Sequence, residues 1–324
     1  MLQYLVILLD DTSISYCHYD NQIKEKKLMP LDILREGILF GMKENLMIQF
    51  VYPEYDIPKE YSDLIETIDH SKIKPSTFTK EADVIVFDNV FSFKSHELEY
   101  SSSVVLRLSK NQLFDYSKLI GSLIGKVRRL NIVITDVESF NNADFQRYTE
   151  ILDSWNDLIV NLYIKGERPQ INLLTDRIML DNMNNCGAGD TSISLAPDGH
   201  FYVCPAFYHI DKEKEYGLGK CKFTIGSLYE GVKIANSNLF KLDFSPICSE
   251  CDAFHCKRCV WLNRKLTYEV NTPSKQQCVI SHIERKSSIA LLKEISKKTG
   301  LFSSKHIKEL DYYDPFEKLL KSRQ

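Results

Sequence analysis

Along the first half of the chain, short unbroken apolar runs alternate with longer stretches where apolar residues recur every three or four positions. The runs are "YLVILL" (4–9), "MIQFVY" (47–52), "DVIVF" (83–87), "VVLRL" (104–108), "NIVIT" (131–135) and "INLLT" (171–175). Continuous β-branched and aliphatic runs of this length predict parallel strands buried on both faces. Between them, Pro30 predicts a helix start with Leu31, Leu34, Ile38 and Met42 on one face. Leu113, Tyr116, Ile120, Leu123 and Val127 form a second stripe, and Phe145, Tyr148, Leu152, Trp155 and Ile159 a third. Strands alternating with helices predict an α/β fold of right-handed βαβ units, as a partial (β/α) barrel or an open doubly wound sheet.

After residue 180 the pattern changes. Glycine, proline and cysteine punctuate short segments, and "SLAPDGHFYVCP" predicts strand, turn, strand. From about Ser281 the chain becomes helical and lysine-rich, a solvated helix face or a grip for an acidic partner. There is no internal repeat and no low-complexity linker.

The 324 residues are 44% hydrophobic and 26% charged, with a formal charge of −3. That balance gives no electrostatic case for a nucleic-acid partner. The opening "MLQYLVILLDD" lacks a basic segment and a cleavage site and is too short to span a bilayer. The expectation is a cytoplasmic protein with no membrane partner.

Several strand ends carry acids: Asp10 with Asp11, Asp88, Asp136 and Asp176, with Glu54 soon after the second run. Parallel sheets build their sites at these ends. One reading is an acidic mouth for a cationic or amide-rich ligand, with Asp10, Asp88 and Asp136 as candidate catalytic groups. The commoner reason for aspartate after a strand is that it caps the next helix or closes an Asx-turn.

Cysteine changes the picture most. Of nine, Cys17 stands alone and eight lie between Cys186 and Cys278. In a reducing compartment such a cluster points to metal rather than to disulfides. "CSECDAFHCKRC" holds two C-x2-C pairs, Cys248 with Cys251 and Cys256 with Cys259, each able to bite one ion. A single zinc on these four thiolates satisfies them and leaves Cys186, Cys204, Cys221 and Cys278 unexplained. Counting all eight gives two sets of four, the ligand demand of two 4Fe–4S clusters. Cys221, on a loop after "GLGK", is the weakest member.

The order along the chain adds a resemblance. Twelve residues separate Cys186 from Gly199 and four separate Gly199 from Cys204; "IGSLYEG", the four-cysteine run and Cys278 follow. This order resembles the SPASM domain, the auxiliary-cluster module of radical-SAM peptide-modifying enzymes. The spacing departs within the run, with four residues between Cys251 and Cys256 and two between Cys256 and Cys259, where that family usually has five and three. The resemblance implies that Cys248, Cys251, Cys256 and Cys278 hold one cluster. Cys186, Cys204 and Cys259 would hold the other, with Cys221 available as a fourth ligand. The shortened spacing leaves that division open, and His255 sits inside the run as a substitute ligand or a hydrogen-bonding neighbour. Lys257 and Arg258 either offset cluster charge or are exposed basic residues.

"HCKRCVWLNRKLTYEVNTPSKQQCVISHIER", "DDTSISYCHY" and "GILFGMKENLMIQFVYPEY" together resemble one narrower family, the CXXX-repeat peptide maturases. What the resemblance implies is maturation of a ribosomally made cysteine-repeat precursor peptide, beside a competent radical-SAM partner enzyme. It also implies a degenerate radical-SAM-like partial barrel over 1–180, a SPASM-like domain over 181–284 and a helical segment over 285–324. The cleavage motif C-x3-C-x2-C is absent. With Cys17 as its third position, the second is Ile14 and the first Asp10, and the chain has no Gly-Gly pair. S-adenosylmethionine (AdoMet) is therefore not expected as a cofactor, and Cys17 is either a relic of that motif or a buried thiol. "CGAGD" and "GLG" lack the third glycine of a dinucleotide loop, and no P-loop or G-x-S-x-G elbow is present. His200, His209 and His282 read as structural. Two other classes remain: a zinc-stabilised scaffold or adaptor, and an enzyme that uses the acidic mouth.

Overall fold

In a computed structural model the chain is described over residues 1–77, 81–212, 223–305 and 307. The first strands are β1 (Tyr4–Leu8), β2 (Met47–Val51), β3 (His70–Pro75), β4 (Val84–Phe87), β5 (Ser103–Leu108) and β6 (Arg129–Ile134). All but β3 coincide with an expected apolar run. β3 reads "HSKIKP", too polar to announce itself. Its Lys72 is buried, with the ammonium held by Glu66 and lying 3.8 Å from Glu81.

The last expected run is mostly not a strand. β7 is only Gln170–Ile171, and α7 (Thr175–Met179) follows at once. The Asn172 side chain supplies what a longer strand would have supplied. Its Oδ1 accepts from the Ile132 N–H at 2.8 Å and its Nδ2 donates to the Ile132 carbonyl at 2.8 Å. Thr175 Oγ1 then closes the turn onto the Ile171 backbone.

Helices fill the crossovers: α1 (Leu31–Lys43), α2 (Lys59–Ile65), α3 (Val90–Ser95), α4 (Lys110–Asp115), α5 (Ser117–Leu123) and α6 (Asn142–Ile164). The second predicted stripe is thus two helices, broken at Tyr116. In α1 the buried face is Leu34, Gly37, Ile38 and Gly41, while Met42 is exposed, because the glycines let the helix settle onto β1 and β2. α6 begins at a capping box of Asn141 and Asp144.

The second half extends the same sheet. β8 (Ser192–Leu195) pairs parallel with β1, and β9 (His200–Tyr202), β10 (Thr224–Ser227) and β11 (Gly231–Val232) continue antiparallel. The strand order is β11-β10-β9-β8-β1-β2-β3-β4-β5-β6-β7, with β7 and β11 at its edges. Segments 1–180 and 181–284 therefore share one sheet. α8 (Pro205–Lys212), α9 (Val260–Thr267) and α10 (Lys275–Thr299) complete the described elements. α10 runs through the boundary expected at 284/285 and packs along α6. There Tyr148 donates to Glu284 at 2.6 Å and Asn156 Nδ2 donates to the Ser287 carbonyl at 3.0 Å.

A Cβ on Gly41 would stand 2.6 Å from Ile48 Cδ1 and 3.3 Å from Leu5 Cδ2. Gly41→Val is therefore expected to lower stability by about 1–3 kcal/mol through overpacking. A lower urea midpoint at unchanged slope is the readout.

Candidate metal centres and the adjoining cavity

The chain between β1 and α1 stays on the sheet. Asp10 and Leu28 form an antiparallel bridge, and the loop they close lies across the C-terminal ends of β2, β5 and β6. Ser13 Oγ donates to the Val51 carbonyl at 3.0 Å, and His18 Nδ1 lies 2.9 Å from the Ile134 carbonyl that accepts from it. Arg107, buried on β5, sends Nε to the Cys17 carbonyl at 3.0 Å and Nη2 to the Tyr19 carbonyl at 2.7 Å. Its Nη1 meets Asp88 at 2.6 Å.

Over this loop lies a cavity of about 1050 Å³. Its wall mixes Asp20, Glu54, Asp88, Asp136 and Glu138 with Lys24, Lys26, Arg107 and Lys265. The strand-end acids, read as an acidic mouth or as caps and turns, are placed differently from one another. Asp10 is fully buried, with Oδ1 accepting from the Thr12 N–H at 2.8 Å and Oδ2 from the Tyr55 hydroxyl at 2.6 Å. Asp11 is buried and accepts from the Tyr208 hydroxyl. Neither lines the cavity: loop donors claim Asp10, and Tyr208 of α8 claims Asp11. Asp136 lines it, yet its Oδ1 takes the Lys110 N–H at the start of α4 at 2.6 Å. Asp176 belongs to α7 and pairs with Arg129 at 2.6 Å.

The cysteines fall into two groups. Cys248, Cys251, Cys256 and Cys278 lie within electrostatic reach of one another in every pairing. With Arg258, Gln277, Ser281 and His282 they enclose a cavity of about 20 Å³. Burial, then the neighbouring thiols, push Cys248 and Cys278 up to about 12. The polar surroundings face the sulfurs: the Ala253 N–H points at Cys251 Sγ at 3.5 Å, and His282 Nε2 lies 3.6 Å from it.

In the second group, Cys186, Cys204, Cys259 and also Cys17 lie within the same reach in every pairing. Burial and then Cys186 raise Cys17 to about 12, and both raise Cys204 and Cys259 further. Cys259 caps α9 by accepting from the Leu262 N–H at 3.5 Å. Cys221 lies outside the described residues. Cys17 had no place in the expected ligand sets, and no local signal assigns it one, since the folded loop alone brings it to the others.

These sets fit iron–sulfur ligation. Cys186 is exposed; the other seven described thiols are wholly or partly buried with raised pKa and stay protonated in the bare protein, and a bound metal centre would reverse that by taking the thiolates. N–H groups aimed at sulfur are what cluster ligands use to tune the centre. Among the described residues no group of three or more His, Cys, Asp or Glu is placed to hold a metal ion as the side chains stand. A cubane needs a wider cage, because each thiolate binds a different iron.

Basic groups stand close by. Arg258 is 2% exposed, with Nη1 on Ser245 Oγ at 2.7 Å and Nε on Asn185 at 3.3 Å. Lys257 is half-buried and faces Cys186 and Cys17. Neither is the exposed surface residue that one reading expected. His255 turns from the cysteines toward α10, with Nε2 3.0 Å from Glu284.

No protein-family model matches the chain, and no curated protein does. Solved structures do. Against a histidine-tagged anSMEcpe with bound AdoMet the TM-score is 0.59 at 15% identity, over 99% of this chain and 99% of that one. Against native anSMEcpe with bound AdoMet and Cp18Cys peptide it is 0.59 at 14%, over 93% and 100%. Streptococcus suis SuiB bound to precursor peptide SuiA gives 0.39 at 12%, over 64% and 61%, and carries no argument. At these identities the likeness is one of fold alone: a mixed α/β chain with a parallel sheet, arranged as in anSMEcpe. No described helix is long and apolar enough to cross a membrane.

His209 is 1% exposed, stacks on Tyr19 at 5.5 Å and has no hydrogen-bond partner on either ring nitrogen among the described residues. Burial pushes it down to about 3. The unfolded histidine titrates near 6.5, so below that pH the unfolded chain binds the extra proton and stability falls as pH drops. Between pH 7 and 5 this single group is expected to remove about 2 kcal/mol. His209→Phe should flatten that part of the profile, read from urea midpoints at each pH.

Proposed function

We propose that this chain is a SPASM-type maturation protein that carries two 4Fe–4S clusters and handles a cysteine-repeat precursor peptide. In this reading Cys248, Cys251, Cys256 and Cys278 hold one cluster. Cys186, Cys204 and Cys259 supply three ligands of the other, and Cys221 is the possible fourth that the sequence resemblance implies. The observation that carries the reading is the position of the second group against the large cavity. His18, Ala206 and Trp261 on its wall follow Cys17, Cys204 and Cys259 by one or two residues. A peptide lying in about 1050 Å³ would run beside a metal centre able to accept an electron. The mixed charges of the wall suit a peptide backbone with side chains of both signs, and a Cp18Cys peptide is bound together with AdoMet in a structure of the same fold.

The reading includes a partial (β/α) barrel over 1–180, a SPASM-like region over 181–284 and a helical segment over 285–324, in a cytoplasmic protein. It leaves AdoMet chemistry to a partner radical-SAM enzyme. The loop after β1 offers one thiolate, Cys17. At the positions of the other two, Ile14 is buried apolar surface and the Asp10 carboxylate is already bonded. When bound, the clusters would supply one-electron transfer. The chain's own part is to hold and orient the peptide. Asp88 beside Arg107, and Lys265 at 2.6 Å from Glu138, line its path.

The test is iron, acid-labile sulfide and zinc content after anaerobic purification and reconstitution. About eight irons and eight sulfides per chain are expected. A synthetic cysteine-repeat peptide should then perturb the EPR signal of one cluster and quench Trp261 on the cavity wall. Zinc without sulfide would leave the scaffold reading in its place.

A further inference from the structure

Three cysteines from the second half of the chain make an incomplete set for a fully ligated cubane, which takes four. We propose that Cys17, from the loop after β1, is the fourth ligand of the Cys186, Cys204 and Cys259 centre. The proposal deepens the cluster reading above and rests on it.

Position is the first argument. Cys17 is near all three of the others, although no fewer than 168 residues separate it from the nearest of them in sequence. Its neighbours face the same way. Tyr16 and Tyr19 both lie in the field of Cys204, and Tyr19 stacks on His209 of α8, the helix that follows Cys204 directly. The approach is therefore made by the whole turn and not by one side chain.

Fixation is the second. A ligand must be held where the metal needs it. The Cys17 carbonyl accepts from buried Arg107, the next residue His18 is bonded to the end of β6, and the Tyr19 carbonyl takes a second Arg107 donor. Charge is the third argument. Half-buried Lys257 lies within electrostatic reach of Asp176, Arg129, Cys186 and Cys17, and its ammonium would offset part of the net negative charge of a cubane on four thiolates. The polar shell is already aimed, with the Leu262 N–H on Cys259 and the Ala206 and Phe207 N–H groups on Cys204. Each thiol gives up its proton as it takes iron, and no change of oxidation state at sulfur is required.

The consequence is a reassigned loop. The segment that crosses the C-terminal ends of the strands is committed through Cys17 to the centre beside the cavity, tying the start of the chain to α9.

The experiment compares wild type with Cys17→Ala, Cys221→Ala and Cys278→Ala, each reconstituted anaerobically. Iron, sulfide and EPR are the readouts. Cys17→Ala is expected to lose about half the iron or to change the EPR signal of one cluster only. Cys278→Ala should affect the other cluster, and Cys221→Ala should match wild type. Cys17→Ala with wild-type iron and spectrum overturns the proposal, as does the same loss appearing in Cys221→Ala. Wild-type protein without iron and sulfide overturns the cluster reading itself, so the two failures are distinct. Should Cys17→Ala fail to fold, alkylation of iron-loaded wild type decides. Cys17 is expected to be protected together with Cys186, Cys204 and Cys259, and rapid labelling of Cys17 alone overturns the assignment.

Discussion

Arg107 is a cation inside the protein, 6% exposed, and much of the site hangs on it. A guanidinium left unpaired in such a place costs several kcal/mol, so its donors must be satisfied. They are: Nη1 by Asp88, and Nε and Nη2 by the carbonyls of Cys17 and Tyr19. The rigid planar fork gives these bonds fixed directions. A loop that would otherwise drift over the strand ends is thereby nailed to β5. It carries Cys17 to the Cys186, Cys204 and Cys259 group and His18 to the cavity wall in a single move.

Around this anchor the two cysteine groups take different settings. The group of Cys248, Cys251, Cys256 and Cys278 surrounds a small enclosed space near the start of α10, and Arg285 from that helix pairs with buried Asp252 beside Cys251. The other abuts the large cavity. α10 links the first of these settings to the strand layer. Glu284 takes a hydrogen bond from Tyr148 on α6 and lies 3.0 Å from His255, so a buried polar network rather than a flexible linker joins the cysteine-rich region to the rest. A shared sheet does the same on the other side, through β8 against β1.

Legibility followed the physics of each element. β1, β2, β4, β5 and β6 announce themselves because a strand buried on both faces must be apolar throughout. β3 does not, since its Lys72 is neutralised by Glu66 from α2 and Glu81 from the following loop, partners no local pattern displays. The fate of "INLLT" turned on one amide, Asn172, which bonds Ile132 in place of a strand backbone. The strand-end acids illustrate the same limit. Asp10, Asp11, Asp88 and Asp136 look alike in sequence, but hydroxyls and N–H groups from elsewhere engage Asp10, Asp11 and Asp136, and Asp88 meets a cation.

By itself the sequence determined the alternation of strand and helix, the density of cysteine after residue 180 and the absence of a three-cysteine loop after β1. Each of these is a property of residues close together in the chain, where periodicity and spacing carry the physics. The tertiary structure alone decided which thiols face one another. Cys17 joins Cys186, Cys204 and Cys259 because parallel pairing of β1 with β8 and the grip of Arg107 bring distant segments together. Such contacts depend on packing between remote elements, for which a linear pattern holds no period.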